Sequence, residues 1–124
     1  MAALSCNLLA LLFLSILFGA GWCQQCGLSN IKVTQTGTGN VVQGKSEFQV
    51  VVTNDCICSQ QDVRFRAAGF QSAEAIDPKI FRQDGGNFLL NDGQPLHSSE
   101  TVTFNYAWDN QFSIVPVDSQ IACS

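Results

Sequence analysis

The chain has 124 residues, a net charge of −4 and a hydrophobic fraction of 46%. Eighteen of the first 23 residues are hydrophobic, and no charged residue precedes Lys32. About 100 residues remain, enough for one small domain and too few for a kinase, a nucleotide-sugar transferase or a two-domain enzyme. The acidic balance argues against a nucleic-acid partner, which requires a basic surface. The chain also lacks a polybasic segment that would bind a membrane surface.

The first segment in chain order, residues 1–23, predicts a secretory signal peptide. Its apolar run, Leu8 to Phe18, has 11 residues, whereas a membrane-spanning helix needs about 20. We expect cleavage after Cys23, a mature domain of residues 24–124, and secretion to the extracellular space or apoplast without membrane insertion. An uncleaved signal anchor and a buried core helix are the alternative interpretations of this segment.

Four cysteines remain in the mature domain: Cys26, Cys56, Cys58 and Cys123. An even number in a small secreted domain predicts two disulfides. Cys56 and Cys58 are too close in sequence to bond each other without strain. One of them should therefore bond Cys26 and the other Cys123, and the sequence leaves both pairings open. Such bridges would tie both chain ends to one central turn and stabilise the domain by about 2–4 kcal/mol each.

The Cys-x-Cys pair could also contribute to a metal site, with His97 as the nearest additional ligand. A structural zinc site usually needs four Cys or His ligands in two short-spaced pairs, and this sequence has one such pair. We therefore expect no metal ligands and no cofactor.

Short segments that alternate polar and apolar residues follow, separated by turns such as Thr36–Asn40 and Asp84–Asn87. Five segments predict β-strands, at residues 31–35, 47–53, 62–67, 101–108 and 112–117. Period-two alternation at this spacing is typical of an all-β domain, a small antiparallel sandwich or barrel, and we expect a disulfide-stapled β-sandwich. One short turn of helix is the most that Ala73–Phe81 allows, because Pro78 lies within it.

Four of the six basic residues fall close together in the sequence: Arg64, Arg66, Lys79 and Arg82. In the third predicted strand, Val63 and Phe65 point inward and the two arginines point outward. Arginine is favoured at protein interfaces because its planar guanidinium group pairs with carboxylates. The four residues are therefore candidates for contact with a partner, and a solvated outer strand face is the alternative.

The chain lacks the residue patterns that covalent or acid–base catalysis needs. His97 is the only histidine, and Pro95 and Ser98 beside it indicate an exposed loop. No Gly-x-Ser-x-Gly, Walker or metalloprotease motif occurs, and the scattered carboxylates single out no glycosidase pair. We therefore expect a protein that is not an enzyme.

Five sequence blocks follow one another in a recognisable order: Asn54–Cys58, Val63–Phe70, Ile76–Phe81, Leu90–Pro95 and Phe104–Trp108. This order resembles that of the plant tapetum determinant family over Cys26 to Cys123. The resemblance implies a small secreted cysteine-rich signalling protein that performs no chemistry. It further implies an extracellular ligand of a leucine-rich-repeat receptor kinase ectodomain in reproductive and anther cell fate specification. The four basic residues are then candidate receptor contacts.

Two further cysteines of the family pattern are absent here, where the chain has Ala67 and Phe88. Their joint absence implies that they form one bridge in other members and that this chain lost the pair as a unit. A small and a large apolar side chain could fill the vacated space.

A second functional hypothesis rests on Tyr106 and Trp108, at the end of the fourth predicted strand. Exposed aromatic side chains at this place could form the platform of a secreted cell-wall carbohydrate-binding module. Packing of both rings into the core is the alternative interpretation.

Overall fold

Two antiparallel sheets make up the fold in the computed structural model, which describes residues 26–123. The predicted signal peptide, residues 1–23, lies outside the described residues. The strands are β1 (Ile31–Val42), β2 (Lys45–Asn54), β3 (Ser59–Arg66), β4 (Phe81–Asp84), β5 (Asn87–Leu90), β6 (Thr101–Trp108) and β7 (Val115–Ala122). The first sheet has the order β1-β2-β6 and the second β4-β5-β3-β7. The predicted all-β antiparallel architecture is confirmed.

The hydrophobic core lies between the sheets, because alternate residues of each strand turn inward. In the first sheet Val50 of β2 pairs in register with Phe104 of β6, and both side chains are buried. In the second sheet Val63 and Phe65 of β3 are buried in the same cluster. The inward direction predicted for Val63 and Phe65 is confirmed.

An aromatic cluster fills one part of this core: Phe70, Phe81, Phe88, Phe104, Tyr106 and Phe112. Phe81 stacks on Phe104 at 4.4 Å between ring centroids and on Phe88 at 5.0 Å. Phe70 meets four of the other rings at 5.0–5.4 Å. Offset-stacked and edge-to-face aromatic pairs stabilise a core beyond the area that they bury.

The disulfide region, Cys26 with Asn54–Cys58 and Cys123, ties both ends of the described range to the turn between β2 and β3. Cys26 bonds Cys56 and Cys58 bonds Cys123, which is one of the two pairings that the sequence leaves open. Asn54 is fully buried and its Nδ2 donates to the carbonyl oxygens of Cys58 and Leu96, each at 2.8 Å. Its Oδ1 accepts the backbone N–H of Cys56 at 3.2 Å. This one side chain bonds the N–H of Cys56 and the carbonyl of Cys58 within the turn and links the turn to the backbone at Leu96.

The predicted bounds of two strands are wrong. β1 continues through Thr36–Asn40, which the sequence pattern assigns to a turn, because a bulge between Gly37 and Val41 absorbs the irregular register. The hairpin turn lies instead at Gln43 and Gly44, both with positive φ. The last strand is β7 rather than residues 112–117.

Strands β4 and β5 were not predicted, although the turn between them was. Each has four residues, which is too short for alternation to stand out. The Ala73–Phe81 segment contains a turn in which the Ile80 N–H donates to the Asp77 carbonyl at 2.8 Å, not a helix. Among residues 26–123, no helix is long and apolar enough to cross a bilayer.

Candidate functional site

Two of the candidate contact residues lie side by side on the outer face of the second sheet. Arg64 of β3 and Arg82 of β4 both pair in register with Leu89 of β5. Residues in register share a face of the sheet, so the two arginines flank Leu89. Leu89 is only 5% exposed although it lies outside the core cluster, and the alkyl stems of the arginines are placed to cover it.

Both of these arginines are ion-paired with an aspartate. Arg64 Nη1 lies 2.8 Å from Asp84 Oδ2, and Arg82 Nη1 lies 2.7 Å from Asp92 Oδ1. The Arg82 group also donates to the Pro78 carbonyl oxygen at 3.2 Å. All four charged side chains are partly exposed, so each pair contributes at most about 1 kcal/mol to stability. Their main consequence is that much of the positive charge of this face is neutralised.

Arg66 and Lys79 differ from the other two basic residues. Both side chains are exposed, and neither forms an ion pair with any residue in the range 26–123. Arg66 borders a cleft of about 350 Å³ whose wall includes Phe70 and Phe88. Lys79 lies in the turn before β4, where its backbone N–H donates to Asp77 Oδ1 at 2.9 Å. The four residues therefore form two groups, one already paired and one available to a partner.

Ala67 and Phe88, where the sequence resemblance implies two further cysteines in other members, lie near each other in the fold. Phe88 pairs in register with Phe65, two residues before Ala67, and Ala67 and Phe88 line the same cleft. Ala67 is buried, and the Phe88 ring stacks on Phe81. At this place the chain is packed by the aromatic cluster.

The aromatic platform predicted for carbohydrate binding is wrong. Tyr106 is 0% exposed, and its hydroxyl donates to Gln35 Oε1 at 2.6 Å and accepts the Phe112 N–H at 2.9 Å. Burial raises the pKa of this hydroxyl, opposed by the hydrogen bond from Phe112. Trp108 is partly buried and has Lys45 Nζ 4.9 Å above its ring. The two rings belong to the core and its margin.

The structure brings together a serine and a histidine that sequence analysis did not connect. Ser59 Oγ and His97 Nδ1 are 2.8 Å apart at the surface. Glu100 Oε1 accepts the backbone N–H of His97 at 2.8 Å, not a proton of the imidazole ring. A catalytic triad needs a group that orients the ring from its second nitrogen, and no residue between 26 and 123 bonds that nitrogen.

Three cysteine sulfurs, of Cys26, Cys58 and Cys123, lie within 4.8 Å of one another. Metal binding requires thiolates, whereas each of these sulfurs is part of a disulfide. Ile57 lies between Cys56 and Cys58 and is 75% exposed, an apolar side chain held at the surface by the flanking bridges. Ile57 was not among the predicted site residues, and its place between two cysteines was the one available signal.

Comparison with known families adds a match over all of the described domain except Cys26. The family model described as "Tapetum determinant 1, C-terminal" matches residues 27–124. The match therefore includes both sheets, the four basic residues and three of the four paired cysteines. No solved structure matches the chain.

Three curated plant proteins are similar to the chain. TPD1 protein homolog 1 of Arabidopsis thaliana is 29% identical over 103 residues, which cover 81% of this chain and 56% of the relative. TPD1 protein homolog 1A of Oryza sativa subsp. japonica is 33% identical over 89 residues, covering 64% of this chain and 39% of the relative. An uncharacterized Arabidopsis thaliana protein is 30% identical over 109 residues, which cover 72% of this chain and 85% of the relative. The chain thus spans little more than half of the first relative and less of the second.

Proposed function

Because the chain belongs to the tapetum determinant 1 family, we propose that it is a secreted plant signalling protein that binds a receptor ectodomain. The receptor class is the leucine-rich-repeat receptor kinases, and the process is cell fate specification in the anther. The observation that carries this proposal is the family match over residues 27–124, all of the described domain except Cys26. Secretion requires the predicted signal peptide, residues 1–23, to be removed.

The proposed mechanism is presentation of a preformed surface, without chemistry. A ligand that is already rigid loses less conformational entropy when it binds. Two bridges support this mechanism, since Cys26–Cys56 and Cys58–Cys123 hold both ends of the described range against the turn between β2 and β3. The buried side chain of Asn54 supports the same turn through its hydrogen bonds.

The proposed receptor contacts are Arg64, Arg66, Lys79 and Arg82, and they should not contribute equally. Arg66 and Lys79 are exposed, and within residues 26–123 neither has an ion pair, so a partner carboxylate would meet an unpaired cation. Arg64 and Arg82 would first have to release their aspartate partners before they could pair with a carboxylate of the receptor. Contacts between exposed charges at the rim of an interface act mainly on the association rate and weaken with salt. Acidic residues are therefore expected on the receptor surface that meets this face.

Charge reversal tests the proposed contacts. Wild-type chain is first titrated against a panel of leucine-rich-repeat receptor kinase ectodomains by biolayer interferometry to find the binding receptor. The double variant Arg66→Glu/Lys79→Glu should then weaken binding at least about tenfold, mostly through the association rate. Lys32→Glu is the matched control, since Lys32 is an exposed cation of β1 in the other sheet, and its affinity should stay within about twofold of wild type.

The possible failures of this experiment have different meanings. Equal loss of affinity in the double variant and in Lys32→Glu would contradict the assignment of the contact face while leaving receptor binding intact. The absence of binding to every ectodomain at micromolar concentration would contradict the function itself. N-terminal sequencing of secreted protein tests the leader separately: Gln24 is the expected first residue, and an intact Met1 would contradict cleavage.

A further inference from the structure

The segment between β3 and β4 crosses to the first sheet and covers the open edge of β6. Ala73 donates its backbone N–H to the Ala107 carbonyl at 2.8 Å. The Ala107 N–H donates in return to Ser72 Oγ at 3.1 Å. Unpaired strand edges tend to recruit foreign strands, so these two bonds protect β6 from such pairing. We call residues 71–76 the edge-covering segment.

A buried carboxylate, Glu47, lies on the outer face of β2 beside this segment. Glu47 is 7% exposed, and neutral donors surround it. Thr38 Oγ1 and Asn40 Nδ2 donate to Glu47 Oε1 at 2.7 Å and 3.1 Å, and Asn105 Nδ2 donates to Oε2 at 3.4 Å. The hydrogen bond from Thr38, followed by those involving Glu74 and Asn40, holds the pKa of Glu47 below its ordinary value. These hydrogen bonds therefore favour the ionised form of the Glu47 carboxyl group.

The second carboxyl group is Glu74, which follows Ala73 in the edge-covering segment. Ala73 bonds Ala107, and Ala107 is the register partner of Glu47, so the two glutamates lie side by side. Glu74 Oε1 is buried and accepts no hydrogen bond from any residue in the described range. Burial, followed by the hydrogen bond and the negative charge of Glu47, raises the pKa of Glu74 above its ordinary value of 4.5. Two carboxylates in contact cannot both stay ionised at low cost, so one proton has to be shared.

We propose that Glu47 and Glu74 form a proton-dependent clamp: a proton on Glu74 is donated to the Glu47 carboxylate and holds the edge-covering segment against β6. Loss of that proton places two negative charges in contact and leaves the Glu74 carboxylate without a donor. The segment should then detach and expose the β6 edge. The clamp belongs to the fold, so it stands or fails independently of receptor binding.

The charged groups around the clamp are few. Besides the two glutamates, the next charged residue along the chain from Glu74 is Asp77. Asp77 and Glu74 line the same cleft of about 290 Å³. β1 and β6 present neutral side chains, Thr38, Asn40 and Asn105. No cation among residues 26–123 lies in an ion pair with either glutamate, so protonation is the available means of removing the repulsion.

The two glutamates give the clamp an optimum in pH. The stabilisation of the clamp by Glu74 is complete below the ordinary pKa of this group, 4.5. It is lost as pH rises through the raised pKa that Glu74 has in the folded state. The contribution of Glu47 is present above its ordinary pKa and is lost as pH falls through its lowered one. The clamp is therefore strongest in mildly acidic solution and opens toward alkaline pH.

Amide hydrogen exchange of Ala73, measured by NMR and corrected for intrinsic rates, tests the clamp. In the wild-type protein, protection of this amide should fall at least about tenfold between pH of about 4.5 and about 8. Glu74→Gln should keep the protection and lose the pH dependence, because its amide donates to Glu47 at every pH. Glu100→Gln is the matched control: Glu100 is an exposed glutamate distant in sequence from the pair, and this variant should behave as wild type.

Three results would overturn the clamp. One is protection of Ala73 in the wild-type protein that does not change with pH. Another is titration of the Glu74 carboxyl carbon at or below the ordinary pKa, which needs no variant and so does not depend on whether Glu74→Gln folds. The third is restoration of protection at alkaline pH by added Ca²⁺, because the buried oxygens of Glu74 and Asn105 would then serve a cation rather than a proton.

Discussion

The aromatic cluster and the disulfide region stabilise the fold by different physical means. In the aromatic cluster, Phe81 stacks against Phe88 from β5 and Phe104 from β6, so the sheets are joined by packing. In the disulfide region, covalent bonds join both ends of the described range to one turn, and the buried Asn54 amide serves backbone groups there. Ala67 and Phe88, at the positions where the sequence resemblance implies a further cysteine pair, belong to the packed region.

This difference determines how each region should respond to mutation. Packing stabilises the folded state directly, so truncating a ring leaves a cavity whose cost depends on how far the neighbours relax. A disulfide acts largely by restricting the unfolded chain, so its contribution depends on the length of the loop it closes. The aromatic cluster should therefore be sensitive to side-chain volume, and the disulfide region to sequence separation.

The largest expected effect is that of Phe81→Ala in the aromatic cluster. Phe81 is 3% exposed, and its removal should lower the free energy of unfolding by about 3–5 kcal/mol. Phe81→Leu keeps most of the volume and should cost clearly less, about 1–2 kcal/mol. Urea denaturation of both variants measures the difference. Equal losses in the two variants would show that ring volume is not what the cluster contributes.

Removal of a disulfide should have the next largest effect on the free energy of unfolding, and the loop length should decide which bridge matters more. Cys58→Ser/Cys123→Ser opens a bridge of sequence separation 65, and Cys26→Ser/Cys56→Ser one of separation 30. The first double variant should lose about 3–4 kcal/mol of unfolding free energy and the second about 0.5–1 kcal/mol less. Denaturant titration under identical conditions gives the comparison. A reversed order would mean that folded-state contacts, not loop closure, dominate the disulfide region.

The smallest effect is expected on the outer face of the second sheet. Asp84→Asn removes the charge that pairs with Arg64, and because the pair is partly exposed the loss should stay below about 1 kcal/mol. Asp92→Asn does the same for Arg82 and should behave alike. Thermal unfolding at low and high salt measures both. A loss above about 2 kcal/mol in either variant would show that these ion pairs contribute as much as a core residue.

The fold could be predicted where burial imposes alternation on a strand. β2, β3 and β6 each have one face on the core, and their sequences show it. β7 is an edge strand with no buried residue, so its pattern is weak and its bounds were misplaced. The bulge in β1 depends on a long-range register with β2, which local sequence does not specify.

The candidate site was only partly predictable for the same reason. The outward direction of Arg64 follows from the alternation in β3, but its partner Asp84 ends β4, a strand that was not recognised. The pairing of Glu47 with Glu74 joins β2 to a segment without regular structure, and no local pattern signals it. For Tyr106 the sequence left a binding platform and core packing open, and the structure shows core packing.

The most direct test of the proposed ligand function compares receptor binding by the oxidised chain with binding by Cys58→Ser/Cys123→Ser. Biolayer interferometry against leucine-rich-repeat receptor kinase ectodomains measures both. Presentation from a rigid scaffold predicts saturable binding of the oxidised chain to at least one ectodomain and an affinity at least about tenfold weaker without the bridge. The absence of any binding by the oxidised chain, or equal affinity of the two proteins, would contradict it.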